Sequence, residues 1–132
     1  MRGMSEQELP VLDVSALREI ARQGGSGCAA CAAIKAPGWE ALPGGFDAAA
    51  LLRKVGTLRP PAVDDPTLEE FHPAGTRSWS PDAPIAPAFF PYNRCDVWEC
   101  KTCRRPFLRY TEYGGYYIEE RIRELDAVKI VD

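Results

Sequence analysis

Four of the five cysteines fall in two C-x-x-C pairs, Cys28/Cys31 in GCAACA and Cys100/Cys103 in ECKTCR, and no other stretch gathers as many chemically capable side chains. Two thiolates separated by two residues can point at one tetrahedral ion while amides of the turn hydrogen-bond the sulfurs, so two such pairs complete a four-thiolate shell. The same spacing suits a dithiol that exchanges electrons. Cysteines among alanines, as in CAAC, also serve as small core filler. Metal site, redox dithiol and inert thiols are thus the three chemistries open. Lys101, Arg104 and Arg105 favour thiolates in either of the first two. A redox dithiol of the thioredoxin type sits at a helix N-terminus, whose dipole lowers the thiol pKa. CKTC is followed instead by Arg104, Arg105, Pro106 and a strand-like run.

Trp98, Cys100, Cys103 and Phe107 form W-x-C-x-x-C-x-x-x-F, which resembles the second half of a zinc ribbon or rubredoxin-like knuckle over about residues 97–122. The resemblance implies that Cys28, Cys31, Cys100 and Cys103 ligate one structural zinc, carried by two knuckles on small antiparallel sheets. Such knuckles commonly place glycine after the second cysteine, where this chain has Ala32 and Arg104, and 68 residues separate Cys31 from Cys100. Loop closure costs grow only logarithmically with length, so a long insertion is affordable. A second ligand set draws on Cys95 in CDVWECKTC and on His72, the only histidine, with Cys100 and Cys103. It ranks below the two-pair set, because the proline after His72 restricts its backbone without aiming the ring at the cysteines.

The elements that must hold these residues are short. SALREIARQGG puts Leu17, Ile20 and Ala21 on one face of a helix over 15–23, with Ser15 as N-cap and Gly24 as stop. FDAAALLRKVG reads as a second helix, capped by Asp47, with Leu51, Leu52 and Val55 on one face and Gly56 as stop. Residues 60–91 hold 8 of the 12 prolines, which predicts an extended, loop-like arm with one helical turn at TLEEF. Its aromatic and aliphatic residues predict that it wraps over the core. From Asp96 the pattern alternates with period two: VWE, the CKTC turn, PFLRYTEY, a Gly114-Gly115 hairpin signal and YYIEERIREL. The pattern of EERIREL also fits a helix, and AVKIV reads as a last strand that closes the sheet.

These elements predict an α+β fold of a single domain, residues 1–132. A lead-in over 1–14, with its first ten residues fraying, precedes a helical part over 15–56 that carries the first pair. A proline-rich arm over 57–94 and a zinc-ribbon-like hairpin sheet over 95–132 complete it. The net charge of −3 disfavours a protein whose main work is neutralising phosphates. A local surface of Lys101, Arg104, Arg105 and Arg109 interleaved with Trp98 and Tyr110 remains a possible nucleic-acid contact, although Glu99, Glu112, Glu119 and Glu120 dilute its field. No apolar run approaches the roughly 20 residues that span a bilayer, and the N-terminus lacks a secretory core, which together predict a cytoplasmic protein without a membrane partner. GxSxG, GxxxxGK and HExxH are absent. The expectation is a zinc-stabilised binding module rather than an enzyme, with a protein partner first and nucleic acid second. A thiol oxidoreductase and a metal-free domain with inert thiols are the alternatives.

Overall fold

The computed structural model describes residues 9–42, 46–59, 67–73, 76–77, 79–113 and 116–131. In chain order these form helix α1 (Val14–Gln23), strand β1 (Glu40–Ala41), helix α2 (Ala48–Leu51), and strands β2 (Leu52–Thr57), β3 (Asp96–Cys100), β4 (Pro106–Tyr113) and β5 (Ile118–Glu124). The strands make one antiparallel sheet in the order β1-β5-β4-β3-β2. Two helices and a small antiparallel sheet give an α+β fold.

Period-two alternation gives the sheet two buried faces. Val97, Leu108 and Tyr110 enter one core with Leu17 of α1, Trp39, Ile85, Tyr92, Cys95, Leu125 and Ile130. Phe107 and Ile122 point the other way, into a second core with Cys31, Ile34, Ala36, Leu52 and Cys100. Trp39 stacks edge-on against Tyr110 with ring centroids 4.8 Å apart, which fixes the chain leading into β1.

Helix α1 starts before Ser15, because the Asp13 carboxylate accepts the Ala16 amide at 2.8 Å and outcompetes the serine as cap. Leu17 is fully buried, worth about 2 kcal/mol of apolar burial, and the Gly24 amide closes the last turn on Ile20. Asp47 caps α2 through the Ala50 amide, but the helix expected through Val55 lasts one turn. Leu52 pairs with Cys100 and Lys54 with Trp98, so pairing with β3 overrides the helical pattern. Gly56 is no helix stop: a Cβ there would lie 2.6 Å from Leu12 Cδ1, so its bareness admits Leu12 beside β2.

EERIREL is strand, paired along β4 from Tyr113↔Ile118 to Phe107↔Glu124; Gly114 and Gly115 lie outside the described residues. AVKIV does not join the sheet. Ala127–Lys129 form a 3-10 turn capped by Asp126, and Ile130 bridges Ile85 in parallel. TLEEF forms no helical turn; Phe90 donates its amide to Glu69 O at 2.8 Å and Asn93 Nδ2 donates to Thr67 O at 2.8 Å. Residues 60–66, 74, 75 and 78 of the proline-rich stretch lie outside the described residues. Its described part buries Ala83, Ile85 and Ala86 and stacks Phe71 on Phe89.

Candidate metal centre

The second pair sits on the turn joining β3 to β4. Cys100 ends β3, the Arg104 amide returns to Cys100 O at 2.8 Å, and the Cys100 amide reaches Arg105 O at 2.9 Å. Arg104 has φ 66°, the left-handed region where knuckles of the resembled kind use glycine. The arginine accepts that backbone and pairs with Glu99 at 3.5 Å. The first pair occupies a run of turns after α1, closed by Cys31 N on Cys28 O and Ile34 N on Cys31 O. It is not flanked by paired strands, so the two knuckles are not built alike.

The fold brings all four sulfurs together. Cys28 and Cys31 Sγ are 3.9 Å apart, Cys28 and Cys100 3.7 Å, and Cys31 and Cys103 3.7 Å. All four Sγ atoms lie within 4.8 Å of one another. Disulfide sulfurs approach to about 2.05 Å, so these are free thiols. Cys31 and Cys100 are fully buried, whereas Cys28 and Cys103 are partly exposed.

Crowding four thiols sets their protons against one another. Burial opposes ionisation of Cys100, but the amides of Cys103 and Thr102, helped by the thiols of Cys28 and Cys103, outweigh it and bring its pKa down to about 7. Burial pushes Cys103 up to about 12, against the Arg105 amide, and hydrogen bonds with the other three cysteines push the same way. In the metal-free cluster Cys100 thus loses its proton more readily than Cys103.

The alternative ligands are elsewhere. Cys95 lies in the first core, fully buried, its Sγ donating to Pro91 O at 3.4 Å. Burial holds its thiol well above the usual range. His72 is exposed and pairs with Glu70 at 2.7 Å. Neither joins the cluster.

The six residues read as a possible binding surface do not form one face. Lys101 and Arg104 are exposed beside the knuckle, Lys101 Nζ bonding Ala49 O at 3.1 Å. Arg109 stacks on Trp98 at 4.3 Å and pairs with Glu120 at 3.4 Å. Tyr110 is buried in the first core and donates to Glu112 at 2.8 Å. Arg105 is buried against the cysteines, donating to Cys31 O at 3.3 Å, to Cys31 Sγ at 3.8 Å and to Glu124 at 2.9 Å.

Sequence reasoning missed two neighbours of the cluster, Gly25 and Glu124. Glu124 faces Phe107 across β4 and β5, so the strand register would have found it. Gly25 carried no signal beyond small-residue bias. A Cβ at Gly25 would lie 2.1 Å from Cys103 O, and one at Gly24 2.6 Å from Pro106 Cδ. The Gly24-Gly25 backbone therefore packs directly on the second knuckle. Gly25→Ala is expected to cost about 2 kcal/mol, as overpacking against an unyielding backbone does, and to lower metal retention in parallel, both read from urea titrations with and without chelator.

Set beside protein-family models, curated proteins and solved structures, the chain matches none of them.

Proposed function

We propose that this chain is a small binding module whose fold is closed by one structural zinc on Cys28, Cys31, Cys100 and Cys103. The observation that carries the reading is the sulfur spacing. A tetrahedron with metal–sulfur bonds of about 2.3 Å has S···S edges of about 3.8 Å; three of the six sulfur pairs stand at 3.7–3.9 Å and all six lie within 4.8 Å. Four thiolates suit soft or borderline ions, zinc and iron foremost. A fully protein-ligated site leaves no position for water or substrate, so the ion would be structural, and zinc is the ion that structural four-cysteine sites commonly hold. The metal would staple the segment after α1 to the β3–β4 turn. On this reading the chain is not an enzyme and works in a reducing compartment such as the cytoplasm, where thiols stay available for metal.

A protein partner is favoured over nucleic acid. The cations expected to neutralise phosphates are scattered, paired with Glu99, Glu120 and Glu124, or buried. The tip of the β4–β5 hairpin instead exposes Tyr113, Tyr116, Tyr117 and Ile118, the residue types that anchor protein contacts. A labelled single-stranded oligonucleotide in 0.15 M salt is expected to bind more weakly than about 10⁻⁴ M by fluorescence anisotropy. Micromolar binding that weakens steeply with salt would reverse the preference.

The test of the zinc reading is metal content by plasma mass spectrometry on untagged protein purified without chelator, with a thiol count after denaturation in EDTA. About one zinc per chain with all five thiols free supports it. No metal with fewer free thiols would favour the second reading, a C-x-x-C oxidoreductase, whose support is the lowered pKa of Cys100. Because the metal competes with protons for sulfur, zinc affinity is expected to fall as pH drops, and more steeply below about 7, where Cys100 too must lose its proton.

A further inference from the structure

A divalent ion with four thiolates carries a net charge of −2, and two of these sulfurs, on Cys31 and Cys100, are fully buried. An uncompensated double charge in that position is costly, so a buried cation beside it changes how tightly the metal is held. Lys101 and Arg104 turn away from the sulfurs, to Ala49 O and to Glu99. Arg105 does not. Its side chain is 11% exposed, and its Nη1 reaches both the carbonyl and the sulfur of Cys31, at 3.3 and 3.8 Å. Its plane packs on Phe107 with the guanidinium carbon 4.8 Å from the ring centroid. Its Nε bonds Glu124 on β5 at 2.9 Å. The guanidinium is thus shared between a carboxylate and a thiol, held by an aromatic wall.

We propose that Arg105 is the charge-balancing and positioning residue of the four-cysteine centre, and that it sets how tightly this site holds a divalent metal. The inference rests on the metal reading above. Glu124 gives the guanidinium a counter-charge when the cysteines are protonated. When all four sulfurs ionise, the same guanidinium offsets part of the new charge and donates to Cys31 Sγ. A planar fork can bond a carbonyl, a sulfur and a carboxylate at once; a lysine ammonium at this position keeps the charge but not the geometry.

The experiment is a cobalt(II) titration of the full chain, followed by the thiolate-to-metal charge-transfer band, with zinc affinity obtained by competition, for wild type, Arg105→Met, Arg105→Lys and Glu124→Gln. Arg105→Met is expected to bind about 10- to 100-fold more weakly. Its band should move to longer wavelength, because removing a positive charge from beside sulfur raises the energy of the donating electrons. Arg105→Lys should lose less than Arg105→Met and keep its band near the wild-type position. Glu124→Gln should bind as tightly as wild type or tighter, since it removes a negative charge while leaving the guanidinium on Cys31.

If Arg105 were only a tether between the first knuckle and β5, Arg105→Met and Glu124→Gln would weaken binding alike, with the band unmoved, and that result overturns the proposal. Wild-type affinity in Arg105→Met also overturns it. Should Arg105→Met not fold, the ordering of Arg105→Lys below Glu124→Gln in affinity supports the proposal and its reversal overturns it. A wild-type chain that gives no tetrathiolate cobalt spectrum overturns the metal reading at the first titration, and this inference with it.

Discussion

Cys31→Ser is expected to lose the bound metal and to unfold at far lower urea than wild type, with a stability loss of at least about 4 kcal/mol. Cys31 is fully buried, contacts the sulfurs of Cys28 and Cys103, and accepts from Arg105. A serine oxygen in its place neither reaches nor prefers a thiophilic ion, and three thiolates crowded without the fourth hold it poorly. The loss has two parts. The metal's binding energy, on the order of 10 kcal/mol in small zinc domains, is available only to the folded chain. The metal also closes a long loop, since 68 residues lie between Cys31 and Cys100, and a cross-link of that span removes about 4 kcal/mol of unfolded-chain entropy.

Two comparisons separate the metal from packing. Cys95→Ser alters an equally buried thiol in the other core, so it should cost only about 1–2 kcal/mol with metal content unchanged. In excess EDTA, the gap between wild type and Cys31→Ser should shrink to a packing difference of about 1 kcal/mol. A gap that stays as wide without metal would mean that the cysteines stabilise the chain as core filler.

Each pair, Cys28 with Cys31 and Cys100 with Cys103, was legible in the sequence because a C-x-x-C turn is a local device; that the two pairs share one site was only what the resemblance implied. The spacing of such a turn already sets two sulfurs side by side, and only the meeting of the two pairs depends on the fold. What surrounds the sulfurs was not legible, since it is made by tertiary contact. Arg105 follows the second pair by two residues and reads as one of three cations that favour thiolates, alike with Lys101 and Arg104, yet the path of β4 turns it alone inward onto Cys31 and Glu124. Gly25 carries no sequence signal beyond small-residue bias, yet its bareness lets the backbone lie against Cys103 O. The strands β3 and β4 were readable from alternation, whereas 119–125 fitted strand and helix alike and AVKIV read as a strand that does not form. The segment 52–57 was not, because Leu51, Leu52 and Val55 also fit a helical face, and the deciding energy comes from pairing with β3. In α1, Asp13 and Ser15 are both good caps, and the carboxylate that meets the Ala16 amide sets the first turn.

Arg123→Met is the second large effect, expected to destabilise the chain by about 2–4 kcal/mol. Arg123 is fully buried on the first-core side of β5, and no carboxylate among the described residues pairs with it. Its guanidinium donates to the Tyr92 hydroxyl, to Ala83 O at 2.6 Å and to Pro81 O at 3.3 Å. It therefore ties the stretch between Pro81 and Tyr92 to the sheet through three acceptors. Methionine matches its length and relieves the cost of burying a cation, which is several kcal/mol. Against that gain stand three charge-assisted bonds at about 1.5–3 kcal/mol each and the acceptors they leave unpartnered. The acceptors win because two of them are backbone carbonyls that regain water only if the segment lifts off.

Lifting off gives the prediction its second readout. Exposed Arg77 lies just before this segment in a turn closed by Ser80, and tryptic cleavage there should quicken roughly tenfold for each 1.4 kcal/mol of eased local opening. Arg121→Met, two residues earlier on the same strand and partly exposed, should stay within about 0.5 kcal/mol of wild type. Full stability in Arg123→Met with unchanged cleavage would instead show that the packing of Ile85 and Tyr92 alone holds the segment down.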